Sequence, residues 1–188
     1  MQINTDRLVS LIAMVIGLGS LFIIVYQTAL LREQQAASAL PYLMIGLQSN
    51  SDSTYIFARN TGVGPALIEE VVLRYQGRAI AQDPHDFFLD ARPEVARSVN
   101  LGVDKLIPGR LVPAGDRINM LGSDGDNGRV MEATLLGLFD IGEVPQSWYD
   151  NTGVPKSGPE KAIIEVTYRS VYGDRWRLTS DNLVPKPL

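Results

Sequence analysis

The chain has no cysteine, a single histidine and, beyond Gln34, no apolar run long enough to cross a bilayer. Without thiols there are no disulfides, no thiolate nucleophiles and no zinc–sulfur sites. His85 alone cannot form a histidine pair on a metal, and it leaves only serine as the nucleophile of a His-assisted triad. No Gly-x-Ser-x-Gly elbow is present to carry that serine. There is no excess of positive charge either: 17 Lys and Arg stand against 21 Asp and Glu, a net charge of −4. Such a chain has no electrostatic reason to seek nucleic acid or anionic lipid. Internal repeats and low-complexity tracts are absent too.

What the sequence does have is one long uncharged segment. Leu8 to Leu31 is 24 residues without a charge. As a helix it spans about 36 Å, enough for a hydrocarbon core of about 30 Å. Leu11 to Ile16 and Leu21 to Val25 form its oily centre, Tyr26 suits the interface, and Arg32-Glu33-Gln34-Gln35 ends it. Ala37-Ser38-Ala39 fits a signal-peptidase site, but the apolar region is too long for a signal peptide. The polar stretch from Gln27 to Gln35 also stands between that region and the site. A retained span is the reading adopted. Arg7 and the terminal amine in front of it, against Arg32 behind it, favour an N-terminus inside and a domain outside the cytoplasm of a cell (inner) membrane. Ala13, Gly17 and Ser20 share one helix face, where small residues let a second copy of the span approach. The expected organisation is a tail over 1–7, a transmembrane helix over 8–31, a helical juxtamembrane extension over 32–41 and a β-sandwich over 42–188.

Residues 40–188 are enough for one domain with a core. Tyr42–Leu47 and Tyr55–Arg59 read as paired strands around the turn cluster 49–53. From Leu67 to Tyr75 the alternation puts Leu67, Val71, Leu73 and Tyr75 on one face, and Gln76-Gly77-Arg78 turns the chain into Ala79-Ile80-Ala81. Asp83 as N-cap and Pro84 behind it predict a short helix, docked by Phe87, Phe88 and Leu89 and ended at Arg92-Pro93. Arg110–Val112 and Arg117–Leu121 are further strands. Met131, Leu135, Leu138 and Phe139 recur at helical spacing and predict a second short helix. Val144 to Pro159 is a Pro- and Gly-rich loop. Ile164, Val166 and Tyr168 face inward on the clearest strand, and Gly173-Asp174 fits a two-residue type II′ turn. The return strand then puts Trp176 and Leu178 inside and Arg175 and Arg177 outside. Short antiparallel strands at this spacing predict an immunoglobulin-like β-sandwich with one or two short helices, a mainly β fold.

The most distinctive run is Asn60-Thr61-Gly62-Val63-Gly64-Pro65-Ala66. It lacks the lysine and following helix of a phosphate-binding loop, so it reads as a structural turn. Asn60, Gly62, Gly64 and Pro65 carry it, with the glycines supplying positive φ. Together with the N-terminal span, Gln34-Gln35-Ala36-Ala37-Ser38-Ala39-Leu40-Pro41 and the hairpin Ser170-Val171-Tyr172-Gly173-Asp174-Arg175-Trp176, this run resembles a set of bacterial single-pass membrane proteins without an assigned activity. The resemblance implies anchoring and a β-rich domain and brings no catalytic residue with it.

Candidate chemistry is sparse. His85 stands beside Asp83 and Asp86, but sequence neighbours at a helix start are not expected to converge on a metal, and a solvent-facing helix N-terminus is the better reading. Asp124, Asp126 and Asn127 resemble the opening of a calcium loop. An EF-hand needs glycine at position six and a carboxylate at twelve; here those are Arg129 and Leu135. No catalytic residue, metal or cofactor is therefore assigned. Trp148 and Tyr149 in the long loop are the candidate partner contact. The sequence points to a membrane-anchored interaction or accessory domain with a protein partner and no nucleic acid. The alternative is a membrane-tethered enzyme or ligand receptor that assembles Asp83, Asp86 and Asp124.

Overall fold

The computed structural model describes residues 5–50, 52–125, 128–142 and 161–188. The chain divides into two compact units, Met1–Ser38 and Ala39–Leu188. The first is one helix, α1 (Thr5–Ser38). Within it Leu8–Gln35 is long and apolar enough to cross a membrane. The helix stops at Ser38, ahead of Leu40, because the residue before Pro41 is steered out of the helical region.

The second unit is mainly β. Its strands are β1 (Leu43–Ser49), β2 (Ser53–Asn60), β3 (Ala66–Tyr75), β4 (Arg78–Ile80), β5 (Leu101–Gly102), β6 (Leu111–Val112), β7 (Arg117–Asp124), β8 (Ile163–Arg169), β9 (Arg175–Thr179) and β10 (Asn182–Pro187). Among the described residues these strands pair antiparallel throughout. One sheet has the order β1-β2-β7-β5 and the other β10-β9-β8-β3-β4, with β6 beside the start of β3. Lettered in chain order, with β6 set aside, the first sheet is ABED and the second is GFCC′ with one added strand. This is the strand order of the immunoglobulin fold. Ile45, Ile56 and Met120 from the first sheet share one core with Leu73, Ile164, Val166 and Leu178 from the second.

Among the described residues three helices decorate the sandwich: α2 (Pro84–Ala91), α3 (Pro93–Ser98) and α4 (Gly128–Leu138). Asp83 caps α2 by accepting from the His85 amide at 2.8 Å, with proline at the first turn. Phe87 and Phe88 are buried, whereas Leu89, expected to dock with them, is exposed. Two adjacent aromatics already fill the contact face of an eight-residue helix, and the next position turns away. Pro93 ends α2 but also opens α3, since proline is well placed at a first turn. Met131, Leu135, Leu138 and Phe139 are all buried, as the spacing of α4 predicts.

The facing of β3 and the β8–β9 turn differ from the sequence reading. Ala66, Ile68 and Leu73 are the buried core residues of β3, while Leu67 is only half-buried. A β-bulge between Ile68 and Glu70 inserts one residue and flips the alternation, so Leu67 cannot share a face with Leu73. The β8–β9 connection is not a two-residue turn. The Gly173 amide donates to Ser170 and the Ser170 amide to Asp174, which leaves a three-residue loop. Gly173, at φ 95°, takes the left-handed position that closes such loops. The β3–β4 hairpin does use two residues, Gln76 and Gly77, both at positive φ.

The outer face of the second sheet is covered by its own charges. Glu165 takes Arg74 at 2.7 Å and Arg177 at 3.4 Å, and Glu69 takes Arg175 at 2.7 Å and Arg169 at 3.5 Å. The arginine stems lie along the sheet, so Glu165 and Thr167 are buried on what sequence alternation marks as the solvent face of β8.

Candidate functional site

The most elaborated place in the domain is where the chain enters it. Leu43 of β1 is opposite Asn60 of β2, so the entering segment and the loop leaving β2 lie side by side. The loop folds back as a collar. The amides of Thr61, Val63 and Gly64 donate to the carbonyls of Tyr42 (2.8 Å), Leu40 (3.0 Å) and Leu40 again (3.3 Å). Asn60, fully buried, joins the two strands of the collar. Its Oδ1 accepts from the amides of Tyr42 and Gly62, each at 3.1 Å. Its Nδ2 donates to the carbonyls of Gly64 at 2.8 Å and Val112 at 3.0 Å. Every hydrogen-bonding position of the amide is used, which is what makes a buried asparagine tolerable.

The glycines of this run work by size rather than by backbone freedom. Neither Gly62 nor Gly64 is among the positive-φ residues. Instead, a Cβ on Gly62 would overlap the backbone from Leu40 to Tyr42, and one on Gly64 would overlap the backbone of Ala39. Pro65 follows, and Ala66 starts β3 opposite Val112. The Asn60–Ala66 run is thus a structural element, as its sequence suggests, but its second half is a segment some twenty residues upstream.

A second fastening crosses between the sheets. Tyr168, with no exposed surface, accepts through its hydroxyl from the Leu43 amide at 3.4 Å. Burial pushes its phenol up to about 12, with the amide bond opposing the shift. Trp176 lies opposite Tyr168 and stacks on it, ring centroids 5.7 Å apart. Trp176 is on the inner side as predicted, but at the margin of the core and partly buried.

The acidic candidates separate. Ligand atoms of Asp83, His85 and Asp86 do come within 4.8 Å of one another, contrary to the expectation that they would not converge. The helix start folds the capping carboxylate and the next turn's side chains onto one side. His85 is half-buried there rather than solvent-facing. Each group already has a protein partner. Asp83 caps α2, and Asp86 accepts from Lys105 at 3.3 Å and faces His85 Nδ1 at 3.0 Å. The bonds from His85 and Lys105 hold the Asp86 carboxyl below its usual range. Asp124 is not in that group; it ends β7 opposite Ser53. There it lies beside the Tyr55 phenol, whose pKa is raised first by burial and then by this carboxylate. Trp148, Tyr149, Asp126 and Asn127 lie outside the described residues. On α1, a Cβ on Gly17 would meet nothing within 4 Å, so the face shared with Ala13 and Ser20 is open.

Comparison with known protein families, curated proteins and solved structures found no match. The residues that sequence reasoning missed are Tyr168 as a cross-sheet acceptor and Ala39–Tyr42 as the partner of the glycine run. No local pattern signals either one, because each is made by segments far apart in the chain.

Proposed function

We propose that the chain is a membrane-anchored interaction or accessory subunit, held in the cell (inner) membrane by α1, with its sandwich outside the cytoplasm. The observation that carries this reading is Leu8–Gln35, whose apolar side chains are exposed along their whole length, Phe22 at 74% and Ile16 at 63%. So long an apolar surface in water would be strongly unfavourable, and a bilayer removes it. The collar supports the same reading, because the first residues after the helix are already fastened into the domain. A protein partner, reached through the domain or through the Ala13–Gly17–Ser20 face, completes the proposal. That face also suits a homo-oligomer.

The receptor reading has one support, the proximity of Asp83, His85 and Asp86. Isothermal titration of the detergent-solubilised protein with zinc or manganese decides it, and no heat above the buffer blank removes it. The main proposal is tested by carbonate washing of membranes from cells making the full chain. Retention of the protein in the pellet, and its recovery with a stoichiometric partner after mild detergent extraction, are the expected results. Release by carbonate defeats the anchor. For the side of the membrane, labelling an Asp52→Cys variant on intact cells with an impermeant maleimide is expected to succeed.

A further inference from the structure

The two ends of the sandwich differ in chemistry. The strand registers place the start of β1, the end of β2, the starts of β3 and β7, the end of β8, the start of β9 and the end of β10 at one end, with Arg59, Arg117, Arg169 and Arg175 at or next to the strand ends. The chain enters the domain at this end, through Ala39 and Leu40. The connections here are 61–65, 113–116 and 170–174, and their only charged residues are Asp116 and Asp174. Both carboxylates are turned to local donors: Asp116 accepts from the Arg117 amide at 2.9 Å and Asp174 from the Ser170 hydroxyl at 3.3 Å. The tips are apolar and bare. Leu40 is 43% exposed, Val63 69%, Val171 60% and Tyr172 53%. The opposite end carries the β1–β2 and β9–β10 turns with Asp52 and Asp181, and Asp124 at the end of β7. Strands of seven or eight residues put roughly 25 Å between the two ends.

Exposed apolar tips on separate loops, gathered at the end where a transmembrane span joins the domain, have one occupant that connectivity keeps within reach: the lipid interface. We propose that this end of the sandwich rests on the bilayer, with Leu40, Val63 and Val171 entering the boundary between headgroups and acyl chains. Tyr172 lies at headgroup level, where amphipathic aromatic rings are favoured. The inference rests on the reading of α1 as a membrane span. The contact is apolar rather than electrostatic, because the four exposed tips carry no charge and Arg169 and Arg175, which end their strands here, are paired with Glu69. It therefore needs no anionic lipid and survives high salt.

The absence of cysteine makes the test direct, since every introduced thiol is unique. The full chain is reconstituted into vesicles of phosphatidylcholine, with or without phosphatidylglycerol. It carries a fluorophore at one of four sites: Val63→Cys, Tyr172→Cys, Asp52→Cys at the far end, or Phe22→Cys in the helix. Quenching by lipids brominated high on the acyl chain is read for the three domain sites, and by lipids brominated near the chain end for residue 22. Strong quenching at 22, 63 and 172, at most a tenth of that at 52, and no dependence on phosphatidylglycerol or salt is the expected pattern. Quenching at 22 with labels 63 and 172 as unquenched as 52 overturns the proposal and leaves the anchor standing; an end covered by another protein surface would give this result. Quenching at 63 and 172 that vanishes without phosphatidylglycerol overturns the apolar mechanism. No quenching at 22 overturns the anchor, and the lipid contact with it. Circular dichroism of each labelled protein confirms the fold; all three domain sites are exposed, so their replacement disturbs no packing.

Discussion

Gly64 is pressed against Ala39 so closely that a methyl group on its Cα would overlap the Ala39 carbonyl. The displaced group is backbone, and backbone held by the collar's own hydrogen bonds has nowhere to move.

Gly64→Ala is therefore expected to destabilise the domain by about 1–3 kcal/mol, the range for forcing extra volume into a packed site. Gly17→Ala, where a Cβ meets nothing within 4 Å, is expected to leave the melt unchanged. Thermal unfolding of the two variants in one detergent, followed by near-ultraviolet circular dichroism, makes the comparison. Equal melting temperatures would show that the collar yields.

Asn60→Asp replaces an amide with a group of the same shape but leaves the carbonyls of Gly64 and Val112 facing an oxygen. Burial and those carbonyls raise the pKa of the new carboxyl above its unfolded value, near 4. A raised folded pKa means that the variant is closest to wild type below that value. The stability is then lost as pH rises toward the folded pKa. At pH 7 the loss is expected to be about 3–5 kcal/mol, as for an uncompensated buried charge. Denaturant titrations at pH 4 and pH 7 check the slope, and a loss independent of pH would contradict it.

Tyr168 has the same sign in an alkaline window. Its phenol is pushed up to about 12, against 10 for an ordinary tyrosine. Its contribution is fully present below pH 10 and is lost as the pH climbs through 12. Tyr168→Phe is expected to cost about 1 kcal/mol at pH 7, for one neutral hydrogen bond, and to flatten the alkaline end of the stability profile. Absorbance at 295 nm during a pH titration should show one fewer late-ionising tyrosine in the variant.

A chain beginning at Ala39 keeps the whole collar, and one beginning at Leu43 loses the acceptors on Leu40 and Tyr42. The longer form is expected to be folded and soluble without detergent, and the shorter form to melt several degrees lower. Equal melting temperatures would mean that the collar adds nothing to the domain. Aggregation of the longer form would mean that the unit boundary at Ser38 does not hold in solution.

Within this fold, local chemistry was readable and distant pairing was not. Asp83 and Pro84 announce α2 because capping is settled within three residues. Met131, Leu135 and Leu138 announce α4 because one face of a helix repeats along the sequence. The β3 bulge is invisible, since Ile68 differs from Leu67 in little but register, which β8 sets. Asn60 and the two glycines are conspicuous as a run, yet their purpose is held in Leu40 and Tyr42, whose own sequence is bland. Trp176 reads as core from alternation alone; that it stands at the margin depends on where the sheet ends. Of the acidic candidates, Asp83 and Asp86 meet because they are neighbours, while Asp124 belongs to another strand and stays with Tyr55.

Strand β8 is hydrogen-bonded along both edges, to β3 and β9, and is covered on both faces, by the core below and by the arginine stems above. Local opening needs an edge or a wet face to begin from, and β8 offers neither. Its amides from Ile164 to Tyr168 should exchange with deuterium only when the whole domain unfolds. The slowest-exchanging peptide then measures global stability directly. In the edge strand β10, by contrast, Pro185 and Pro187 carry no amide hydrogen to exchange, and the rest of that strand should report fraying.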